Sequence, residues 1–458
     1  MVTVRLARSR TGPASVGSLL LSAEDAAALA VKGGDEVRIG LGKWTGRAVV
    51  DVGPGRHATL HLPAGAPRLP VRSLALYSVG PGRLRLGPLI GILVMYRVSA
   101  RGPRGSQMET YREIMYRARE AGGLAFVLRA SAITRTGRRV TGWTRVNGRW
   151  RRCRLPYPDV VYNRISSRPV ERRVLRSGRF TYLQRRGVPV FNPHYLNKWG
   201  VYRTLLQDDA VRPHLPETRR YRGPSDVAAL LARHGRVFLK PAGGSLGLGA
   251  VLITRSGGRL RYKLNTLSGG RRSGTLRSLR QLGRVLPRRS DYLAQQAIRL
   301  ATVRGRPFDV RALVQKDPSG KWLLTGAAAR IAGRGRITTH VPRGGSRRPL
   351  VPVLQEVFGY RRAAEIRDEL ERVCVAAGRG LERLSGKLFG EFSLDVAVDV
   401  AGRIWILEMN AKPFRFDETP LRVLSQRRLV RFATHLAGCP VDSERNGEDW
   451  VLGARAGG

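Results

Sequence analysis

Two runs near the C-terminal end restrict the fold more than any other feature. Residues 391–399 and 403–410 each alternate in the period of a β-strand, and Ala401-Gly402 between them suits a two-residue hairpin turn. Such a turn sets Asp395 opposite Glu408 and Ser393 opposite Asn410. Strand side chains two apart share a face, so Glu408 and Asn410 point the same way. Two carboxylates facing each other across a strand pair repel unless positive charge lies between them. A hard cation such as Mg²⁺ accepts that arrangement and can join it to phosphate. The competing reading is an acidic edge in solvent, or a carboxylate paired with arginine.

A second hairpin carries the opposite charge. Residues 236–241 read as a strand that places Lys240 near its end, and a second strand follows over 250–254. The tip between them holds Gly243, Gly244, Ser245, Gly247 and Gly249. Glycines let backbone N–H groups approach phosphate oxygens closely, and lysine adds a point charge. In a Walker A loop the lysine follows the glycines and opens a helix; here it precedes them and a strand comes next. The glycine order is not that of a dinucleotide fold either. Read without its context, the segment is equally a plain β-hairpin with a surface lysine.

The 458 residues call for several packed units. Residues 1–86 read as a small β-rich accessory domain, a barrel or sandwich, with short alternating runs punctuated by glycine and proline. Residues 87–192 read as a small α/β unit: an apolar strand at 89–94, a helix at 107–120 and a strand at 124–128 follow the order of a parallel sheet. Residues 193–440 form a larger α+β region with helices near 197–208, 225–234 and 361–384. The polar, glycine-rich 441–458 reads as a flexible tail. The longest apolar run, 89–96, is far short of the roughly 20 residues a membrane helix needs. No secretory leader is evident, and three scattered cysteines fit reduced thiols, so the expected location is cytoplasmic.

Charge is the remaining global feature. The formal net charge is +50, and of 83 basic residues only 9 are lysine, leaving 74 arginines. Such a field attracts phosphates, nucleic acid and acidic surfaces. The arginines are spread along the whole chain, so an arginine-biased proteome and a polyanion partner both account for them.

Taken together, these segments resemble the ATP-grasp superfamily. In that resemblance Lys198, on a helix after Asn192-Pro193, stands at the first ATP lysine, and Lys240 at the second. Residues 292–298 resemble the hinge that reads adenine; Gln295 stands where glutamate is frequent, and the backbones of Gln296 and Ile298 would meet the base. Asp309 and Arg311 resemble the Asp-x-Arg of ribosomal-protein glutamate ligases, with Asp309 near ribose and Arg311 near the transferred phosphate. Arg330 stands at another phosphate-facing arginine. Residues 339–345 resemble the ligases' Asn-x-x-Arg-Gly-Gly, with His340 where asparagine is usual. Asp395, Glu408 and Asn410 match the metal ligands. The more specific resemblance is to the YheC/YheD family of endospore-coat-associated ATP-grasp proteins, through the β-rich front unit, residues 87–93, Asn192-Pro193 and residues 405–413.

The resemblance implies an ATP-grasp fold behind a pre-ATP-grasp unit, ATP and one or two Mg²⁺ or Mn²⁺ ions, and catalytic roles for Arg311 and Arg330. It implies a carboxylate–amine or thiol ligase that works through an acylphosphate on a small-molecule or peptide carboxylate. It also implies coat association, with spore-coat proteins or polyanions as partners. The alternative is a catalytically silent nucleotide-binding structural or polyanion-binding coat protein.

Overall fold

The chain is described by a computed structural model over residues 1–8, 15–54, 57–103, 105, 107–243, 247–266, 268, 270–286, 291–333, 345–414 and 418–441. Its architecture is α+β. The front unit is a closed barrel of seven strands between Val2 and Leu86. Alternation explains it: Val2 and Val4, Leu19 and Leu21, Val37, Ile39 and Leu41 point inward while their neighbours face out.

The next sheet has six strands. Leu89–Val94 lies at its centre, parallel to Leu124–Arg129 on one side and Val160–Asn163 on the other. The buried run 89–94 sends Leu89 and Leu93 into a core shared with the barrel. Ile90, Ile92 and Val94 pack under helix Met108–Glu120. An antiparallel hairpin, Arg139–Val146 and Arg149–Pro156, extends the sheet beyond Leu124–Arg129. The sequence reading missed it, although Asn147-Gly148 supplies the turn: both residues have positive φ, at 47° and 77°, which this dipeptide favours.

Two antiparallel sheets follow. In one, Arg236–Pro241 lies between Val251–Ser256 and Tyr292–Gln296. Val237 and Leu239 enter a core with Val227, Leu230 and Leu231 of helix Pro224–His234, so Phe238 and Lys240 face away. In the other, Arg306–Lys316 lies between Trp322–Ile331 and Glu391–Val398, with Ile404–Asn410 at the edge. The long helix Tyr360–Ser385 covers the back of this sheet, burying Ile366, Leu370, Val373, Cys374 and Leu381. Among the described residues no helix is long and apolar enough to cross a membrane. The proposed tail, 441–458, lies outside the described residues except Val441.

A further helix, Thr419–Leu436, was not read from the sequence. Its Leu429, Val430, Phe432 and Ala433 join the core beneath helix Met108–Glu120, while Leu421 packs on Leu313 and Ala328 and Arg428 donates to Leu324 O, so the helix joins the second sheet to the last one. Polar contacts reinforce this return. Asn192, with φ at 52°, takes the Gly390 N–H on Oδ1 at 2.8 Å and donates to Glu391 O at 2.9 Å and to Ala411 O. One buried side chain thereby ties together both open ends of the acidic hairpin. Beside it, Lys412 is ion-paired to buried Glu171, and Tyr162 and Gln315 both donate to the buried Glu391 carboxylate.

Asn192→Ala strands three buried backbone groups and puts a Cβ residue with no local hydrogen bond into left-handed backbone. The expected loss is about 2–4 kcal/mol of unfolding free energy, read from urea denaturation. An unchanged midpoint would show that the clamp is not a structural tie.

Candidate functional site

The acidic hairpin reaches its register by a different route from the simple turn. Its loop has three residues, Val400 to Gly402, closed by Asp399 N–H to Arg403 O at 3.1 Å and Gly402 N–H to Asp399 O at 2.9 Å. Gly402 takes φ at 80°, and the Asp399 carboxylate accepts from the Ala401 and Arg403 amides at 2.9 Å each. Pairing therefore starts one residue out of the expected step, with Val396 opposite Ile406. A bulge at Leu407 then restores it: Asp395 stands opposite Glu408 and Ser393 opposite Asn410. The bulge also sorts the faces. Ile404 and Ile406 enter the core before it and Met409 and Ala411 after it, leaving Glu408 and Asn410 toward the cleft.

The carboxylates do not stand alone. Arg311 lies opposite Asp395 on the neighbouring strand, and Asp309 lies opposite Arg330 one strand further. Arg330 grips Asp309 with two hydrogen bonds, 2.8 and 2.6 Å, and reaches Asp395 at 3.2 Å; Arg311 reaches the other Asp395 oxygen at 3.0 Å. Burial alone would make Arg330 easier to deprotonate, but Asp395 and Asp309 outweigh it and hold the proton more tightly. Lys198 closes the row, 3.1 Å from Glu408. Asn197 caps the helix that carries it, accepting from Trp199 N–H at 3.0 Å and Gly200 N–H at 3.1 Å.

Lys240 faces the same space from the other sheet. The cleft between the sheets is lined by Lys198, Tyr202, Thr218, Lys240, Leu293, Gln295 and Glu408, with Val201, Leu205, Leu215, Ile406, Leu407 and Met409 as apolar wall. Removal from water pushes the Lys240 pKa down to about 8, against the pull of Glu408 and with the push of Lys198. Its ammonium donates to Gln295 Oε1 at 2.6 Å, and Gln295 Nε2 donates to Thr218 Oγ1 at 2.9 Å. Thr218 in turn donates to Pro216 O at 2.8 Å. This chain of donors fits an amide at 295: a carboxylate there would set an oxygen against Thr218 Oγ1, whose proton is already used.

The remaining expected residues are placed less completely. Gly243 and Gly247 flank the loop, Gly247 with φ at 64°, whereas Gly244 and Ser245 lie outside the described residues. The stretch 339–344, with His340, also lies outside them. The Gln296 N–H is taken by Glu217 O at 2.8 Å, so only its carbonyl is left to meet a base. Ile298 follows just beyond the end of Tyr292–Gln296. Leu407 and Tyr202 line the cleft and were not singled out from the sequence; the linear sign of the bulge is that strict alternation would set Ile406 and Glu408 on one face.

Asp395, Glu408 and Asn410 offer two carboxylates and an amide oxygen, hard donors that suit Mg²⁺. Asn410 is half-buried and makes no side-chain hydrogen bond among the described residues. No group of three His, Cys, Asp or Glu side chains forms a metal cluster among the described residues.

Comparison with known proteins places these features in context. The family model described as YheC/D like ATP-grasp matches residues 187–436. The endospore coat-associated protein YheD of Bacillus subtilis (strain 168) is 29% identical over 381 residues, covering 81% of this chain and 83% of that protein. Endospore coat-associated protein YheC of the same organism is 23% identical over 303 residues, covering 63% and 79%. Among solved structures, the VanG D-Ala:D-Ser ligase from Enterococcus faecalis aligns with a TM-score of 0.45 at 11% identity, over 77% of this chain and 99% of that one.

Gln295→Glu replaces the amide on Lys240 by a carboxylate, which favours the charged amine. The Lys240 pKa is expected to rise above about 8, read from the pH dependence of its acylation followed by mass spectrometry. No upward movement would show that burial alone sets its value.

Proposed function

From the membership of this chain in the YheC/D-like ATP-grasp family, established by the match over 187–436, we propose that it is an Mg-ATP-dependent ligase that activates a carboxylate. One observation carries the reading: Asp395 opposite Glu408, ringed by Arg311, Arg330 and Lys198 and faced by Lys240 across an apolar-walled cleft.

The division of labour follows from the chemistry of each group. The apolar wall accepts the base, with the Gln296 carbonyl and the Ile298 amide at its edge. Lys198 and Lys240 hold the phosphate chain, helped by Gly243, Gly244, Ser245 and Gly247 of the loop. Lys198, held by Glu408 at 3.1 Å, would exchange that partner for phosphate. Asp309 supports the ribose side and fixes Arg330. Asp395, Glu408 and Asn410 would hold Mg²⁺, or Mn²⁺ in its place, which when bound offsets phosphate charge.

A substrate carboxylate oxygen attacks the γ-phosphorus; the bond to the β–γ bridging oxygen breaks, giving an acylphosphate and ADP. An amine or thiol then attacks the acyl carbon, losing its proton as inorganic phosphate departs. Arg311 and Arg330 meet the charge that spreads over the moving phosphoryl group. Closing the glycine loop over the cleft keeps water from hydrolysing the acylphosphate. Within this reading 193–440 is the catalytic unit, 87–192 helps shape the substrate side, and 1–86 is accessory. A cytoplasmic protein that joins the spore coat is the setting, on the strength of the relatives' names.

Screening amino acids and short peptides for ADP release tests the proposal. Release is expected only when a carboxylate and a nucleophile are both present. Glu408→Ala is expected to lower it by at least about 100-fold. Nucleotide binding with no release on any pair favours the silent structural alternative, and turnover that survives Glu408→Ala removes the metal assignment.

A further inference from the structure

Outside the nucleotide cleft, the second sheet holds a cavity of about 370 Å³ at the carboxyl end of its central parallel strands. Alternation brings its lining together. Val127 and Arg129 lie on the face that carries helix Met108–Glu120; Trp143 pairs with Val127 on one side and with Arg152 on the other. Arg97, from the segment after Leu89–Val94, completes the wall. Arg97, Arg129 and Arg152 are exposed, and among the described residues none is ion-paired to a carboxylate. Crevices beyond the carboxyl ends of parallel strands are where open α/β sheets receive ligands.

The chemistry is that of an anion with some apolar body. Three guanidinium groups match carboxylates through paired N–H donors, and the half-buried Trp143 offers apolar surface beside them. Phosphate and carboxylate satisfy the arginines equally, so the neighbouring backbone decides. Arg149–Pro156 is the outermost strand of the sheet, with its free edge beside the cavity. Such an edge offers main-chain donors and acceptors that a peptide can use and a nucleic acid cannot. Arg149, Arg151, Arg152 and Arg154 on that strand repel a second copy of it, while an acidic chain is attracted.

We infer that this cavity and edge form a docking site for an acidic peptide segment, with carboxylates held by Arg97, Arg129 and Arg152. The site is independent of the nucleotide reading and is tested without nucleotide. Fluorescence anisotropy of the full chain with labelled hexaglutamate, at near-physiological salt, reads binding. Arg129→Ala/Arg152→Ala is expected to weaken it about tenfold. Arg280→Ala/Arg284→Ala removes the same charge from exposed positions on the helical turns Leu279–Gln281 and Leu282–Val285 and is expected to bind like the parent; thermal unfolding curves check that both double variants fold. Labelled hexaglutamine is expected not to bind. Equal weakening by both double variants, no binding of hexaglutamate, or a short oligothymidylate with the same dependence on Arg129 and Arg152 would each overturn the assignment.

Discussion

The opposition of Asp395 and Glu408 across one strand pair is the interaction on which the rest of the site depends. Like charges at that spacing are unfavourable, and burial raises the cost because water screens them less. The protein answers by flanking the acidic pair with cations, in a row across the sheet that runs Arg330, Asp309, Arg311, Asp395, Glu408 and Lys198. Each group makes its neighbour tolerable. Removing Arg330 would take from buried Asp309 the guanidinium that grips it and from Asp395 one of its cations, so this arginine serves the fold whatever it does for a substrate.

Holding that row in place falls to residues well away from it in sequence. Asn192 closes the open end of the hairpin from the second sheet. Arg164, from the loop after Val160–Asn163, donates to Pro413 O at 3.0 Å, three residues beyond Asn410. Helix Thr419–Leu436 then returns the chain to the core beside helix Met108–Glu120. The hairpin is thereby anchored on both sides of the acidic pair, at Leu407 by the bulge and beyond Asn410 by polar contacts with another unit. A site that must present two carboxylates within a narrow tolerance gains from such anchoring, because positioning errors near one ångström cost much of an enzyme's rate.

What could be read from the sequence depended on whether the controlling interactions were local. Strand alternation and the glycine-flanked Lys240 are local, and they located both hairpins. The register of the acidic pair was right for a wrong reason: a three-residue loop displaced it and the Leu407 bulge returned it. A strict alternation from Ile404 to Asn410 would have put Ile406 and Glu408 on one face, which was the sign of an irregularity in that strand. The hairpin turning at Asn147-Gly148 was equally local and was missed, because its apolar residues are divided between two faces, Val140, Cys153 and Leu155 on one and Trp143 and Trp150 on the other, with arginines between them. The Arg330–Asp309 grip and the Asn192 clamp were beyond reach, since they join strands and loops whose neighbourhood only the sheet order decides.

The lysines show how this chain separates placed charge from general charge. Only 9 of 83 basic residues are lysine, yet Lys198 and Lys240 line the cleft, Lys412 meets buried Glu171 and Lys316 holds Glu382 at 2.7 Å. Arginine keeps its proton at any ordinary pH, so burying one requires nearby carboxylates, as Arg330 has. Lysine can yield its proton: burial pushes both Lys240 and Lys412 down to about 8. It is also compact enough to give up one oxygen for another, as a phosphate grip requires. Arginines supply the long-range field that draws anions toward the surface everywhere. Under the proposed function Lys198 and Lys240 sit where a movable point charge is needed, so geometry inside the cleft, not the +50 overall, would decide which anion stays.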